Sequence, residues 1–241
     1  MKLTLIQTGD VPAPLRPRFG AYAPMFGKMF EDAGLHYDYE VVRVSDGEPF
    51  PDPTRLEAVL LPGSAAGVYD NHLAWMAPLR QFIRAAYAAG TPMVGICFGH
   101  QIMADALGGD VRKSEKGWGL GRHSYGVTRS AAFDRVGDSL SVACSHQDQV
   151  IAPPADADVI LASDFTPNAG LAYRNGAALS FQPHPEFEDQ YTLALAEMRR
   201  GKAPDDTVDT AVASMQLRSD SRHLAQAIGA FLARQPAKVS G

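Results

Sequence analysis

Residues 91–109, with the sequence TPMVGICFGHQIMADALGG, decide the fold of this chain. The apolar run at 92–96 is typical of a buried strand, and residues 98–107 then carry apolar side chains at helical spacing until Gly108 ends the pattern. Cys97 therefore lies at the turn where a strand becomes a helix. The stretch predicts a strand–turn–helix unit that presents a thiol.

The residues around Cys97 suit a nucleophile. Gly95 and Gly99 stand two residues before and after it, where a turn tight enough to expose one side chain leaves no room for Cβ atoms. The N-terminus of the following helix favours the thiolate, and the Phe98 N–H group is placed to donate to an oxyanion. Taken alone, this pattern leaves a buried structural cysteine as an equal alternative.

A second segment, residues 177–187 (AALSFQPHPEF), supplies the partners that a nucleophile needs. An apolar strand leads to His184 and Glu186, whose side chains leave the same side of an extended backbone. A nucleophilic thiol needs a base, and that base needs a third group to hold its tautomer. By itself this is an ordinary surface loop, but with Cys97 at another strand end it predicts a triad of Cys97, His184 and Glu186.

The motifs G-I-C-F-G-H-Q at 95–101 and H-P-E at 184–186 resemble the class I glutamine amidotransferase family of the Cys-His-Glu type. The resemblance extends from residue 1 to about residue 190, and it is nearest to stand-alone domains similar to that of GMP synthetase. It implies hydrolysis of the γ-amide of glutamine to glutamate and ammonia through a thioester on Cys97. No cofactor and no metal are implied, since His184 and Glu186 lack further ligands at suitable spacing.

The resemblance also assigns roles outside the triad. In the loop PGSAAGVYDN (62–71), Gly63 or Ser64 would supply a second oxyanion contact beside that of Phe98, and the two are not separated. Three further residues would hold the α-amino and α-carboxylate groups of glutamine: Gln101, Ser145 and His146. The alternatives are an ordinary glycine-containing loop at 62–71 and strand-end capping at 145–146.

Strands alternate with helices from the start of the chain, which predicts a doubly wound, mostly parallel sheet with helices on both faces. The family resemblance implies a flavodoxin-like three-layer α/β fold. The expected strands are 2–7, 37–44, 55–61, 92–96, 140–144, 158–161, 168–174 and 177–181, and the expected helices are 19–33, 73–89, 98–107, 190–200, 206–217 and 221–234. Sites in such sheets lie beyond the carboxyl ends of the strands, as Cys97 does.

We expect one amidotransferase domain over residues 1–241, with 188–241 as a helical C-terminal extension. Asp205 is a plausible cap for one of these helices, which are expected to serve packing or an oligomer interface and to carry no chemistry. Residues 111–127 are expected to form irregular strands of the pocket wall, or a surface hairpin, with Arg122 a solvated charge. His100 and Cys144 are expected to be structural.

Composition restricts the partners. The 241 residues include 46% hydrophobic residues and carry a formal net charge of −5, which argues against a nucleic-acid partner. The N-terminal apolar run is too short for a signal peptide, and no run has membrane-spanning length. Two cysteines offer no disulfide framework and fit a reducing compartment, so a cytoplasmic location is expected.

Three functions remain open from the sequence. The chain is either a glutaminase that delivers ammonia to a separate synthetase subunit, a stand-alone hydrolase of γ-glutamyl peptides, or a non-catalytic glutamine-binding or regulatory protein. The complete triad disfavours the third, and the lack of a nucleotide-binding motif after residue 190 keeps the second beside the first. The substrate in each case is glutamine or a γ-glutamyl compound, and a homo-oligomer is a further alternative.

Overall fold

The computed structural model describes residues 1–128 and 137–234. The strands are β1 (Lys2–Gln7), β2 (Asp38–Arg43), β3 (Ala58–Leu61), β4 (Met93–Ile96), β5 (Asp110–Lys113), β6 (Gly119–Val127), β7 (Ser139–His146), β8 (Asp148–Ala152), β9 (Ala157–Ala162), β10 (Gly170–Tyr173) and β11 (Ala178–Phe181). The helices are α1 (Arg16–Phe19), α2 (Tyr22–Asp32), α3 (Met76–Ala88), α4 (Phe98–Ala106), α5 (Asp189–Glu197), α6 (Asp205–Ser214) and α7 (Ser221–Arg234). Within the described residues, every helix is too short or too polar to cross a membrane.

Nine strands form one mixed sheet in the order β2-β1-β3-β4-β11-β10-β9-β6-β7, and β5 pairs with β8 in a separate ribbon. In this order, β2, β1, β3, β4 and β11 are parallel to their neighbours. The sheet continues from β11 through β10, β9, β6 and β7 in antiparallel pairs. Because β3, β4 and β11 are parallel neighbours, their carboxyl ends meet at one edge. This edge carries Cys97, the loop after β3 and the His184 segment.

The sheet core is apolar on both faces, as expected for parallel strands covered by helices on each side. In β3, Ala58 and Leu60 belong to the core layer that includes residues of α2 and α7. Val59 and Leu61 point the other way, into the layer formed with α3 and α4. The predicted doubly wound architecture, with helices on both faces of the sheet, is therefore confirmed.

Several predicted boundaries are wrong for local reasons. The helix expected at 19–33 begins only at Tyr22, because Gly20, with a φ of 75°, follows the end of α1 at Phe19 and interrupts the helical backbone. Asp205 does not cap α6, because Pro204 holds the N-cap position without a side-chain bond. Residues 111–127 were expected to form irregular strands of the pocket wall or a surface hairpin, but β5 pairs with β8, and β6 is a regular strand that pairs with β7 along eight residues.

Arg122 corrects the expectation of a solvated charge. It is only 3% exposed, and it forms an ion pair with Asp189 at the start of α5. Its guanidinium also donates to the Leu217 carbonyl, and its backbone N–H donates to the Ser214 hydroxyl at 2.8 Å. Arg122 thus joins β6 to α5 and to the segment after α6 through its side chain, and to α6 through its backbone.

Candidate active site

Cys97 occupies a strained turn between β4 and α4. Its φ is 53° and its ψ is −102°, and it is the one non-glycine residue within 1–128 and 137–234 that has a positive φ. The backbone on both sides is fixed, because the Cys97 N–H donates to the Phe181 carbonyl at 2.8 Å and the Cys97 carbonyl accepts from the Gln101 N–H at 3.0 Å. Strain that is held in this way is typical of functional positions.

The two flanking glycines explain how the turn is packed. A Cβ atom on Gly95 would lie 2.6 Å from the Gly99 carbonyl oxygen, and one on Gly99 would clash with the Leu61 carbonyl oxygen. The Gly99 N–H donates to the Pro62 carbonyl at 3.2 Å, so the first turn of α4 rests directly on the end of β3. Glycine is needed at both positions because backbone approaches backbone without room for a side chain.

His184 and Glu186 follow β11 and face the same turn. The His184 N–H donates to the Ala143 carbonyl at 2.8 Å, and Nδ1 of His184 lies 2.7 Å from Oε1 of Glu186. Each of the two residues is 3% exposed. The imidazole is stacked on the Phe187 ring, with centroids 3.8 Å apart and planes inclined by 7°. Phe187 therefore fixes the ring plane, while Glu186 fixes its rotation and its tautomer.

The electrostatics favour a protonated His184. Burial acts to lower the pKa of His184, but the nearby Glu186 carboxylate and Cys97 thiol outweigh it and raise this pKa to about 10. The imidazole is hydrogen-bonded to both groups, and Glu186 occupies its Nδ1, which leaves Nε2 for the sulfur. The arrangement can take a proton from a thiol and return it to a leaving group.

Gly63 lies against the cysteine–histidine pair, whereas the Ser64 side chain turns away. A Cβ atom on Gly63 would lie 3.0 Å from Cε1 of His184 and 3.9 Å from Cβ of Cys97. The Ser64 hydroxyl donates to the Thr8 carbonyl at 2.9 Å. The loop after β3 is thus tied to the end of β1, with its first glycine beside Cys97 and His184.

Gln101, Ser145 and His146 lie on the side of the site formed by α4 and β7. The Gln101 amide nitrogen donates to the Asp148 carbonyl at 2.9 Å, and it also contacts Oε1 of Gln182 at 3.1 Å. Nδ1 of His146 lies 3.1 Å from the same Asp148 carbonyl, and burial lowers the pKa of His146 to about 3. His146 is therefore neutral, and its buried Nε2 has no hydrogen-bond partner among the described residues. Ser145 is half-buried on β7.

His100 and Cys144 lie in the core. Nδ1 of His100 is 2.8 Å from the Ser180 hydroxyl and Nε2 is 3.0 Å from the Asn168 carbonyl. Burial lowers the pKa of His100 to about 3, so this ring is a neutral bridge between α4 and the sheet. Cys144 is fully buried, and burial raises the pKa of its thiol.

A group of aromatic side chains behind the triad has no signal in the sequence. Phe187 packs edge-on against Tyr191 with centroids 4.6 Å apart, and Tyr191 lies close to Tyr22 of α2. Burial, with Tyr191 and Glu186 nearby, raises the pKa of Tyr22 well above its usual range. The tyrosines come from separate helices with no shared motif.

A cleft of about 910 Å³ reaches the segment that carries Glu186. It is lined by Glu186 and Phe187 together with residues of α1, α2 and the start of α5 and α7, but not by Cys97 or His184. The cleft therefore adjoins the back of the histidine–glutamate segment and is not the pocket over the thiol.

Known proteins resemble this chain in sequence and in fold. Residues 28–192 match the family model described as glutamine amidotransferase class-I. Gamma-glutamyl peptidase 4 of Arabidopsis thaliana is 27% identical over 230 residues, which cover 90% of each protein. The glutamine-hydrolyzing GMP synthase of Thermus thermophilus is 30% identical over 168 residues, or 64% of this chain and 31% of the synthase. This chain thus spans about a third of that relative.

The fold is also that of a solved glutamine amidotransferase. The crystal structure of the Thermotoga maritima protein superimposes with a TM-score of 0.71, covering 98% of this chain and 99% of the other at 19% identity. The family model covers more than half of the chain and includes Cys97, His184 and Glu186. The chain belongs to the class I glutamine amidotransferase family.

Proposed function

We propose that the protein hydrolyses the C–N bond of γ-glutamyl compounds through a thioester on Cys97, with glutamine as the simplest substrate. The observation that carries this proposal is the buried arrangement of a strained cysteine, a histidine bonded to it and a glutamate 2.7 Å from that histidine. A binding protein would have no need for a protonated His184 beside a thiol.

The proposed reaction begins when His184 holds the proton of the Cys97 thiol. The sulfur attacks the γ-carbonyl carbon of the substrate, and the carbonyl electrons move onto oxygen. The His184 proton then passes to the leaving nitrogen, the C–N bond breaks, and ammonia departs from glutamine. Water gives a proton to His184 and attacks the thioester, so the C–S bond breaks and glutamate is released. Glu186 orients the imidazole in both halves.

The oxyanion would accept hydrogen bonds from the Phe98 N–H and from the loop after β3. Phe98 is the first residue of α4, where N–H groups have no partner inside the helix. The contact of Gly63 with the cysteine–histidine pair favours Gly63 over Ser64 as the source of the second donor. Gln101, Ser145 and His146 would hold the α-amino and α-carboxylate groups on the opposite side of the site.

A second candidate is hydrolysis of γ-glutamyl peptides. It is favoured by the similarity to gamma-glutamyl peptidase 4, which covers 90% of each protein, whereas the match to the GMP synthase covers 31% of that enzyme. Under the first candidate the chain would be one domain, with residues 188–241 as an extension, and would work with a synthetase subunit. Either activity fits a cytoplasmic protein with free thiols.

Release of glutamate from glutamine and from γ-glutamylglycine, compared in parallel, would test both candidates. We expect release that Cys97→Ala abolishes. Faster cleavage of the peptide would assign the peptidase activity, and cleavage of glutamine alone would assign an ammonia-delivering subunit. No release from either compound, with no covalent labelling of Cys97 by a glutamine-like electrophile, would refute the catalytic proposal.

A further inference from the structure

Two adjacent arginines after α5 have opposite surroundings. Arg200 is exposed and forms ion pairs with Glu197 at 2.8 Å and with Asp209 at 3.0 Å. Arg199 is half-buried, its guanidinium carbon lies 4.3 Å above the Trp118 ring, and its Nε is buried without a hydrogen-bond partner. Within residues 1–128 and 137–234, no carboxylate is found in an ion pair with Arg199.

The position of Arg199 relates it to the proposed chemistry. Its charge interacts with the Cys97 thiol and with the hydroxyls of Tyr22 and Tyr191, while burial lowers its pKa. Tyr191 packs on Phe187, and Phe187 is stacked on the His184 ring. Tyr191 and Phe187 thus relate Arg199 to the side of Cys97 on which His184 lies.

A structural role does not account for these surroundings. A cation just beyond the last residue of α5, Glu197, is favourable because the helix dipole is negative there. That role can be filled in water, as Arg200 shows, and it does not require a buried Nε. A half-buried guanidinium without a carboxylate bears a desolvation cost that an anionic ligand would offset.

The side from which Arg199 approaches identifies the anion. In the proposed reaction, His184 gives its proton to the leaving nitrogen, so groups attached to that nitrogen lie on the histidine side. The α-amino and α-carboxylate groups of the glutamyl part belong near Gln101 and His146. Glutamine has no carboxylate on its leaving group, whereas a γ-glutamyl amino acid or peptide does.

We propose that Arg199, supported on the face of Trp118, binds the carboxylate of the departing amino acid of a γ-glutamyl peptide. The inference rests on the proposed function and assigns its substrate class. It adds no covalent step, since the amino acid takes its proton from His184 as ammonia would. Trp118 contributes by stacking, which holds the planar guanidinium in one orientation.

The test compares γ-glutamylglycine with γ-glutamylglycinamide, which differ only in the terminal carboxylate. We expect the wild-type protein to prefer the acid in kcat/KM. Arg199→Gln should reduce that preference by about 10- to 100-fold, the range for one charge-assisted hydrogen-bonded pair. Arg199→Lys should restore part of it. Arg200→Gln is the matched control, and it should leave the preference unchanged.

Other outcomes overturn the proposal in recognisable ways. An equal loss of kcat/KM with the acid, the amide and glutamine would mean that Arg199 binds the glutamyl part of the substrate or supports folding. A lowered unfolding temperature of the variant would identify the second case. An unchanged preference in Arg199→Gln would make it structural.

If the wild-type protein cleaves none of the three compounds, the proposed function fails. Calorimetric binding of the acid and the amide to Cys97→Ala, with and without Arg199→Gln, still tests the carboxylate contact. Equal affinity for acid and amide in both variants would refute it.

Discussion

The edge formed by β3, β4 and β11 and the helices after Glu186 are held together by different kinds of contact. At the edge, main-chain groups meet directly: the N–H of Cys97 reaches the Phe181 carbonyl, and that of Gly99 reaches the Pro62 carbonyl. In the C-terminal helices, long side chains reach distant elements, as Arg122 reaches Asp189. The first region fixes the backbone at Cys97, and the second joins the C-terminal helices to the sheet.

This difference indicates how each region should respond to substitution. Main-chain packing leaves no tolerance for an added methyl group, but it does not depend on which apolar side chains surround it. Side-chain bridges tolerate changes nearby and fail when one charged group is removed. The following predictions test that contrast, beginning with the largest expected effect.

Replacement of Cys97 should separate activity from stability. Cys97→Ala is expected to reduce kcat/KM on the order of 10⁴-fold or more, because no other thiol is at the turn. Cys97→Gly should be equally inactive, but its free energy of unfolding should exceed that of Cys97→Ala by roughly 1 kcal/mol, since glycine adopts a φ of 53° without strain. Urea unfolding of the three proteins measures the second effect. A Cys97→Gly protein less stable than Cys97→Ala would show that the turn is not strained.

Gly99→Ala should be the most destabilising single-methyl change at the strand edge. The new Cβ would clash with the Leu61 carbonyl oxygen, which belongs to the backbone and cannot move aside, so we expect a loss of roughly 3 kcal/mol in the free energy of unfolding. Gly126→Ala on β6 is the control. Its Cβ would have its nearest neighbour at 3.7 Å, and it should change stability by no more than about 0.5 kcal/mol. Similar losses in both variants would contradict this account of the turn.

The contrast also explains what could be predicted from the sequence. The elbow at Cys97 and the pair His184 and Glu186 are local patterns, because backbone geometry imposes glycine and spacing within a few residues. The parallel sheet followed from the alternation of strands and helices and is confirmed. The roles proposed for the site residues stay predictions.

The C-terminal contacts could not be predicted in the same way. Arg122 and Asp189 are 67 residues apart, and Arg199 meets Trp118 from another element, so no local pattern connects either pair. The same is true of Tyr22 and Tyr191, whose proximity depends on how α2 and α5 pack. The segment after Glu186, whose helices were expected to carry no chemistry, thus includes Phe187, which stacks on the imidazole, and Arg199, which lies over the Trp118 ring.

Arg122→Met should loosen the C-terminal helices without directly altering the triad. Removal of the buried guanidinium leaves the Leu217 carbonyl without its donor and separates β6 from Asp189, so we expect a loss of about 2 kcal/mol in stability. Lys113→Met, at an exposed site, should cost no more than about 0.5 kcal/mol. Hydrogen exchange should show faster exchange in α5 and α6 but not in α4. An equal change in protection from exchange in all three helices, relative to the wild-type protein, would contradict the bridging role.

Glu186→Gln should change how stability depends on pH, an effect that is measured as a difference in slope between the two proteins. The pKa of His184 is raised to about 10, so the imidazolium stabilises the folded chain fully below its unfolded pKa near 6.5. That contribution declines as pH rises from about 6.5 to about 10, by at most about 1.4 kcal/mol per pH unit for one proton. Removal of the Glu186 charge lowers the folded pKa, so the variant should lose less stability over this window. Urea unfolding at pH 6.5, 8 and 9.5 measures both curves, and all other titrating groups are shared by the two proteins. Parallel curves would mean that Glu186 orients the His184 ring without raising its pKa. The stability of the strand edge would then depend on main-chain geometry and not on this charge.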